Sequence, residues 1–129
     1  MNVKDLLMLA VKAADDKKGE DIISLNMHGI SDIVDYFVVC HGNNERQVQA
    51  IARAVKEQAE EQGVTVKRIE GFNEGRWILI DLADVVVHVF HKDERSYYNL
   101  EKLYQDVEMM GYKEVMSCLL YTSDAADER

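Results

Sequence analysis

The segment from Arg76 to His91 constrains the fold more than any other part of the chain. It reads RWILIDLADVVVHVFH, in which two runs of aliphatic and β-branched residues flank Ala83 and Asp84. Two such runs separated by two residues are typical of a tight β-hairpin. With the turn at that pair, alternation with a period of two gives the hairpin one wholly aliphatic face, which we expect to pack against helices. This face comprises Ile78, Ile80, Leu82, Val85, Val87 and Val89.

The opposite face mixes large aromatic side chains with ionisable groups: Trp77, Leu79, Asp81, Val86, His88 and Phe90. Such a mixture is typical of the centre of a protein interface, where tryptophan is an enriched anchor and a charged group fixes the register. In the alternative interpretation, Trp77 and Phe90 are core residues and Asp81 forms a satisfied polar pair with His88. Ala83 is unusual in either case, because a two-residue hairpin turn favours glycine or asparagine at positive φ.

Periodicity in the rest of the chain predicts three helices and three further strands. The helices are expected over 3–16, from Asn43 or Asn44 to Gly63, and from Asp93 to Gly111. The further strands are expected over 21–27, 34–40 and 64–69. The order α-β-β-α-β-β-β-α then predicts an α/β domain in which a mixed five-stranded sheet is flanked by three helices.

Composition indicates one compact domain, since 129 residues with 47% hydrophobic content can bury a sufficient core. The two cysteines, Cys40 and Cys118, give no disulfide framework, so we expect a cytoplasmic protein. The apolar runs are shorter than the ~20 residues of a membrane span, and no membrane association is expected. Asp5 interrupts the apolar stretch at the start, which argues against a signal peptide.

The last residues, SCLLYTSDAADER, break all preceding periodicity. We therefore expect the folded domain to cover residues 1–116 and residues 117–129 to be a non-native tail that the fold does not need.

The net charge of −9 bears on the class of partner. It repels a phosphate backbone, so direct binding of nucleic acid is not expected. An acidic domain is better suited to a basic protein of a nucleic acid machine, because complementary charge speeds encounter and selects partners. Ribosomal proteins are an abundant class of such basic proteins.

No motif for a nucleophile or a phosphate-binding loop occurs, and we expect no enzymatic activity and no cofactor. Of the four histidines, His88 and His91 are an odd number of residues apart, which directs them to opposite faces of a strand, so no metal site is expected. One enzymatic alternative stays open. Four acidic residues could hold a magnesium ion with substrate phosphates, as in a phosphate-handling or nucleotidyltransferase-like enzyme: Asp32, Asp35, Asp81 and Asp84.

The third predicted helix adds two candidates for the interface, Arg95 and Tyr98, because arginine and tyrosine recur among interface anchors. Its other charged residues are expected to form a solvated face. The complete predicted partner-binding set is Trp77, Leu79, Asp81, His88, Arg95 and Tyr98.

Three stretches carry a resemblance to a known family: DYFVVCHGNNERQVQAIARAV (35–55), the pair EG (70–71) and RWILIDLADVVVHVFHKDERSYYNLEKLY (76–104). They resemble the Iojap family, the ribosomal silencing factors, and the resemblance covers residues 3 to about 104. The chain departs from the family pattern at His41 and Asn44, where small hydroxyl residues are usual, and at Ala83, where glycine is usual.

The resemblance implies a protein that binds the large ribosomal subunit through a ribosomal protein of the L-fourteen family. It would block joining of the small subunit sterically and so lower translation when nutrients are scarce. The family is also associated with assembly of the large subunit. The implied fold is a nucleotidyltransferase-like α/β domain without the catalytic carboxylates, and no cofactor is needed. A homodimer of the free protein, or a dimeric adaptor, stays open.

Overall fold

The computed structural model describes residues 2–97, 102 and 107–117. The helices are α1 (Val3–Asp16), α2 (Glu45–Glu61), α3 (Lys92–Tyr97) and α4 (112–117). The strands are β1 (Glu20–Asn26), β2 (Tyr36–Gly42), β3 (Arg68–Glu70), β4 (Trp77–Asp81), β5 (Val85–His91) and β6 (Met109–Gly111).

All six strands form one sheet in the order β3-β4-β5-β2-β1-β6. The β2–β5 pair is parallel and every other pair is antiparallel. The prediction of an α/β domain with a mixed sheet is therefore confirmed. The predicted numbers of strands and helices were wrong, because the described part of the chain holds six strands and four helices where five and three were expected.

The error lies at the end of the third predicted helix. Residues 107–111 are not helical, and β6 pairs with β1, with Met109 opposite Leu25 and Gly111 opposite Ile23. Asn26 strengthens this edge, since its backbone N–H donates to the Glu108 carbonyl at 2.9 Å. Pairing with a distant strand decides the conformation here, and no local pattern encodes it. Residues 98–101 and 103–106 of the predicted helix lie outside the described residues.

The register of the β4–β5 hairpin is the predicted one. Trp77 lies opposite Phe90, Ile78 opposite Val89 and Ile80 opposite Val87. The turn falls at Ala83, whose φ of 77° lies in the left-handed region. The strand before it in the chain was less well predicted, because β3 begins at Arg68 and not at residue 64.

The aliphatic face of the hairpin packs under α1 and α2 in the main core, as expected. Both helices begin at asparagine caps, where Asn2 accepts from the N–H of Asp5 and Asn44 accepts from that of Gln47, both at 2.8 Å. Each cap satisfies a backbone donor that the helix itself cannot. The other face of the sheet carries a smaller cluster of buried residues, Leu25, Met27, Val39 and Phe90. Among the described residues, the buried cluster on this face is thus smaller than the main core on the other.

Candidate functional site

The outward face of β4 is the strongest candidate for a functional surface. Trp77, Leu79 and Asp81 alternate along the strand, and all three are partly exposed. They lie on the face opposite α1 and α2, because the alternate residues of β4 are buried in the main core. Only the three-residue β3 separates β4 from the edge of the sheet. This partly exposed face therefore lies beside the short edge strand.

Trp77 is partly exposed and is held by contacts with buried rings. Its ring stacks on that of the buried Phe90, with centroids 4.9 Å apart and planes inclined by 29°. Its indole Nε1–H donates a hydrogen bond to Nδ1 of His88 at 3.2 Å. A large aromatic held in this way loses little freedom when a partner covers its exposed side.

His88 lies beneath this surface, with 5% of its side chain exposed. The ring of Phe37 meets it edge to face at 4.7 Å. Burial lowers the pKa of His88 to about 4, so the imidazole is neutral at pH 7. Because Nδ1 accepts from Trp77, the proton resides on Nε2, which is buried without a hydrogen-bond partner among the described residues.

Asp81 forms the charged end of the strand. Its Oδ1 accepts from the N–H of Ala83 at 2.9 Å, and its Oδ2 lies 3.5 Å from Nε of Arg68 on β3. Arg68 also contacts Glu70 at 2.7 Å, so charged groups continue along the edge strand. The alternative interpretation expected Asp81 to pair with His88, whereas these contacts pair it with Ala83 and Arg68. The tryptophan and a group of charged residues thus share one face.

The two candidates from the third helix are placed differently. Arg95 is buried, with 9% exposed, and its guanidinium donates to the Glu20 carbonyl at 3.2 Å and lies 3.0 Å from Nδ1 of His41. It therefore holds α3 against β1 and β2. Tyr98 lies outside the described residues. The structure brings Trp77, Leu79, Asp81 and His88 together and does not bring Arg95 to the same exposed face.

The acidic residues of the enzymatic alternative are only partly brought together. The N–H of Asp35 donates to the carbonyl of Asp84 at 2.8 Å, which joins the two loops that carry them. The carboxylate of Asp35 pairs with His28 at 3.1 Å, and that of Asp81 with Arg68. Across residues 2–97, 102 and 107–117, no group of three histidine, cysteine or acidic residues is arranged to hold a metal.

Two further findings limit the chemistry of the described residues. Cys40 is buried, as predicted, and its burial raises the pKa of the thiol to about 12, so it carries no thiolate at neutral pH. Within the same part of the chain, no helix is long and apolar enough to cross a membrane.

Arg76 was not predicted as an important residue. Its guanidinium contacts Glu45 on α2 at 3.1 Å and Glu94 on α3 at 2.8 Å, and so ties both helices to the start of β4, next to Trp77. Gly71 supports the same position, since a Cβ there would collide with the Trp77 carbonyl. The positive φ of 78° at Gly71 also favours glycine. An ion pair between distant residues leaves no local sequence signal, so Arg76 could not be identified from the sequence. Gly71 does leave a signal, because it is a glycine in a loop.

Comparison with known proteins gives a consistent result. A family model described as "Ribosomal silencing factor during starvation" matches residues 1–128. The chain is 64% identical over 106 residues to a ribosomal silencing factor of Bacillus subtilis, covering 82% of this chain and 90% of the relative. It is 59% identical over 117 residues to that of Halalkalibacterium halodurans, covering 91% and 100%. It is also 31% identical to the chloroplastic protein Iojap of Zea mays, covering 72% of this chain and 40% of that protein.

Solved structures agree. A crystal structure from Bacillus halodurans is 64% identical with a TM-score of 0.72, covering 78% of this chain and 93% of that chain. A protein from Chromobacterium violaceum is 37% identical with a TM-score of 0.80, covering 81% and 88%. Both solved structures are therefore similar to this chain in sequence as well as in fold.

Proposed function

The chain belongs to the ribosomal silencing factor family, and from this premise we propose that it binds the large ribosomal subunit and lowers translation. The protein contacted on the subunit is one of the L-fourteen family. A rigid domain bound there blocks the small subunit sterically, so the mechanism is binding and not catalysis. The place of action is the cytoplasm, where ribosomes translate.

One observation carries this proposal: the outward face of β4, where a partly exposed Trp77 stacks on Phe90 beside the carboxylate of Asp81. The aromatic supplies apolar contact area that is already fixed in orientation, which favours a macromolecular partner. Leu79 extends the apolar part of the surface. Asp81 supplies a negative charge for a basic group of the partner, in keeping with the net charge of −9.

Two substitutions test the surface. Truncating an interface tryptophan often costs over ~2 kcal/mol, which is about thirtyfold in affinity, so we expect Trp77→Ala to weaken binding to large subunits by at least that factor. Asp81→Lys should also weaken binding, because it reverses a charge facing a basic partner. The loss of affinity should be larger at low salt than at high salt. Neither change should prevent folding.

Two matched controls lie on the opposite layer. Phe72→Ala removes a half-buried aromatic beside Arg53, and Glu57→Lys makes the same charge reversal on the exposed side of α2. Both controls should leave the affinity unchanged. If Trp77→Ala unfolds the domain while Asp81→Lys binds normally, both residues are structural and the proposed surface is wrong.

A further inference from the structure

The contact between Trp77 and His88 is the feature of this face that packing explains least. The imidazole has an apolar setting, with the ring of Phe37 at 4.7 Å and that of Phe90 at 6.4 Å. Its Nδ1 accepts one hydrogen bond, from the indole of Trp77. Its Nε2–H is buried and has no acceptor among the described residues. The described residues thus satisfy one polar atom of the ring and leave the other unsatisfied.

A purely structural role does not account for a histidine at this position. A neutral hydrogen bond contributes little net stability, whereas a buried donor without a partner costs at least as much. A phenylalanine would fill the slot between Phe37 and Phe90 without leaving such a donor. What the histidine supplies and phenylalanine cannot is an acceptor at Nδ1. That acceptor bonds to the Nε1–H of Trp77 and so restrains rotation of the indole.

We propose that His88 is a positioning residue, which does not touch the partner but holds the indole of Trp77 in the orientation that the partner recognises. This inference rests on the proposed function of the β4 face. Stacking on Phe90 restrains the plane of the indole, and the Nε1 hydrogen bond restrains its direction within that plane. Fixing the side chain before binding removes an entropic cost from association.

The test uses two variants of the full chain. His88→Phe keeps the ring and removes the acceptor, whereas His88→Asn retains an acceptor oxygen near the position of Nδ1. Trp77 is the single tryptophan of the chain, so time-resolved fluorescence anisotropy reports its motion directly. Binding to purified large subunits and the urea midpoint of unfolding are measured on the same samples.

We expect His88→Phe to unfold at an equal or higher urea concentration than the native protein, to add a fast component to the anisotropy decay, and to bind several-fold more weakly. His88→Asn should recover most of the affinity and the slow decay. The proposal is overturned if His88→Phe shows native anisotropy and affinity, or if both variants lose affinity only in proportion to lost stability. If the native protein does not bind large subunits, the proposed function fails, and the anisotropy alone then decides whether His88 holds the indole.

Discussion

Replacing Ala83 with glycine should stabilise the domain. Ala83 lies in the two-residue turn between β4 and β5 with a φ of 77°. A non-glycine residue in the left-handed region carries a cost of roughly 1–2 kcal/mol, and glycine removes it. Glycine in turn loses more backbone entropy on folding, by about 0.4–1 kcal/mol. The net gain is therefore about 0.5–1 kcal/mol, or roughly 2–4 °C in Tm for a domain of this size.

Urea unfolding is the appropriate assay, because the midpoint should rise while the slope stays constant if only the native turn has changed. The hydrogen bond from the N–H of residue 83 to Asp81 is retained in the variant. Asp84→Gly serves as the control, since Asp84 is not among the positive-φ residues and glycine there should only destabilise. Equal destabilisation by Ala83→Gly and Asp84→Gly would refute the assigned turn geometry.

Three other outcomes follow from the structure. Gly71→Ala should lower the free energy of unfolding by over ~2 kcal/mol, because its Cβ would collide with the Trp77 carbonyl; a neutral result in urea unfolding would contradict that close approach. The pKa of His88, about 4 in the fold, lies below its unfolded value of about 6.5, so the contribution of His88 to stability should be constant above pH 6.5 and fall towards pH 4 by on the order of 3 kcal/mol. In His88→Phe that part of the pH dependence of the urea midpoint should vanish, and its persistence would assign it to other groups. Truncation after Met116 should leave the thermal midpoint nearly unchanged, because the buried Val115 is retained; a large drop, or loss of large-subunit binding, would mean that residues 117–129 belong to the domain.

The hairpin could be predicted from sequence because its determinants are local. Alternation fixes which residues of β4 and β5 share a face, and the turn at Ala83 and Asp84 fixes the register. The helix caps are similarly local, and Asn44 lies one residue before the α2 that it caps. Such elements need no knowledge of distant parts of the chain.

Strand β6 could not be predicted because β1, the strand with which it pairs, is distant in the sequence. The apolar pair Met109 and Met110 fits a helix or a strand equally well, and pairing with β1 decides between them. The number of strands was therefore wrong although the fold class was right.

The candidate site was also predicted only in part, for the same reason. Alternation correctly places Trp77, Leu79 and Asp81 on one face. It does not reveal that His88 is buried beneath Trp77 or that Arg95 is held between α3 and the β1–β2 pair, because burial depends on which strands lie next to β5. The predicted partner-binding role of these residues stays a prediction.

Sedimentation through a density gradient tests the central proposal most directly. The full chain is mixed at moderate salt with purified large subunits, and separately with assembled ribosomes. We predict that it comigrates with free large subunits, does not comigrate with assembled ribosomes, and reduces subunit joining when small subunits are added. Absence from the large-subunit fraction, or equal association with assembled ribosomes, would contradict the account.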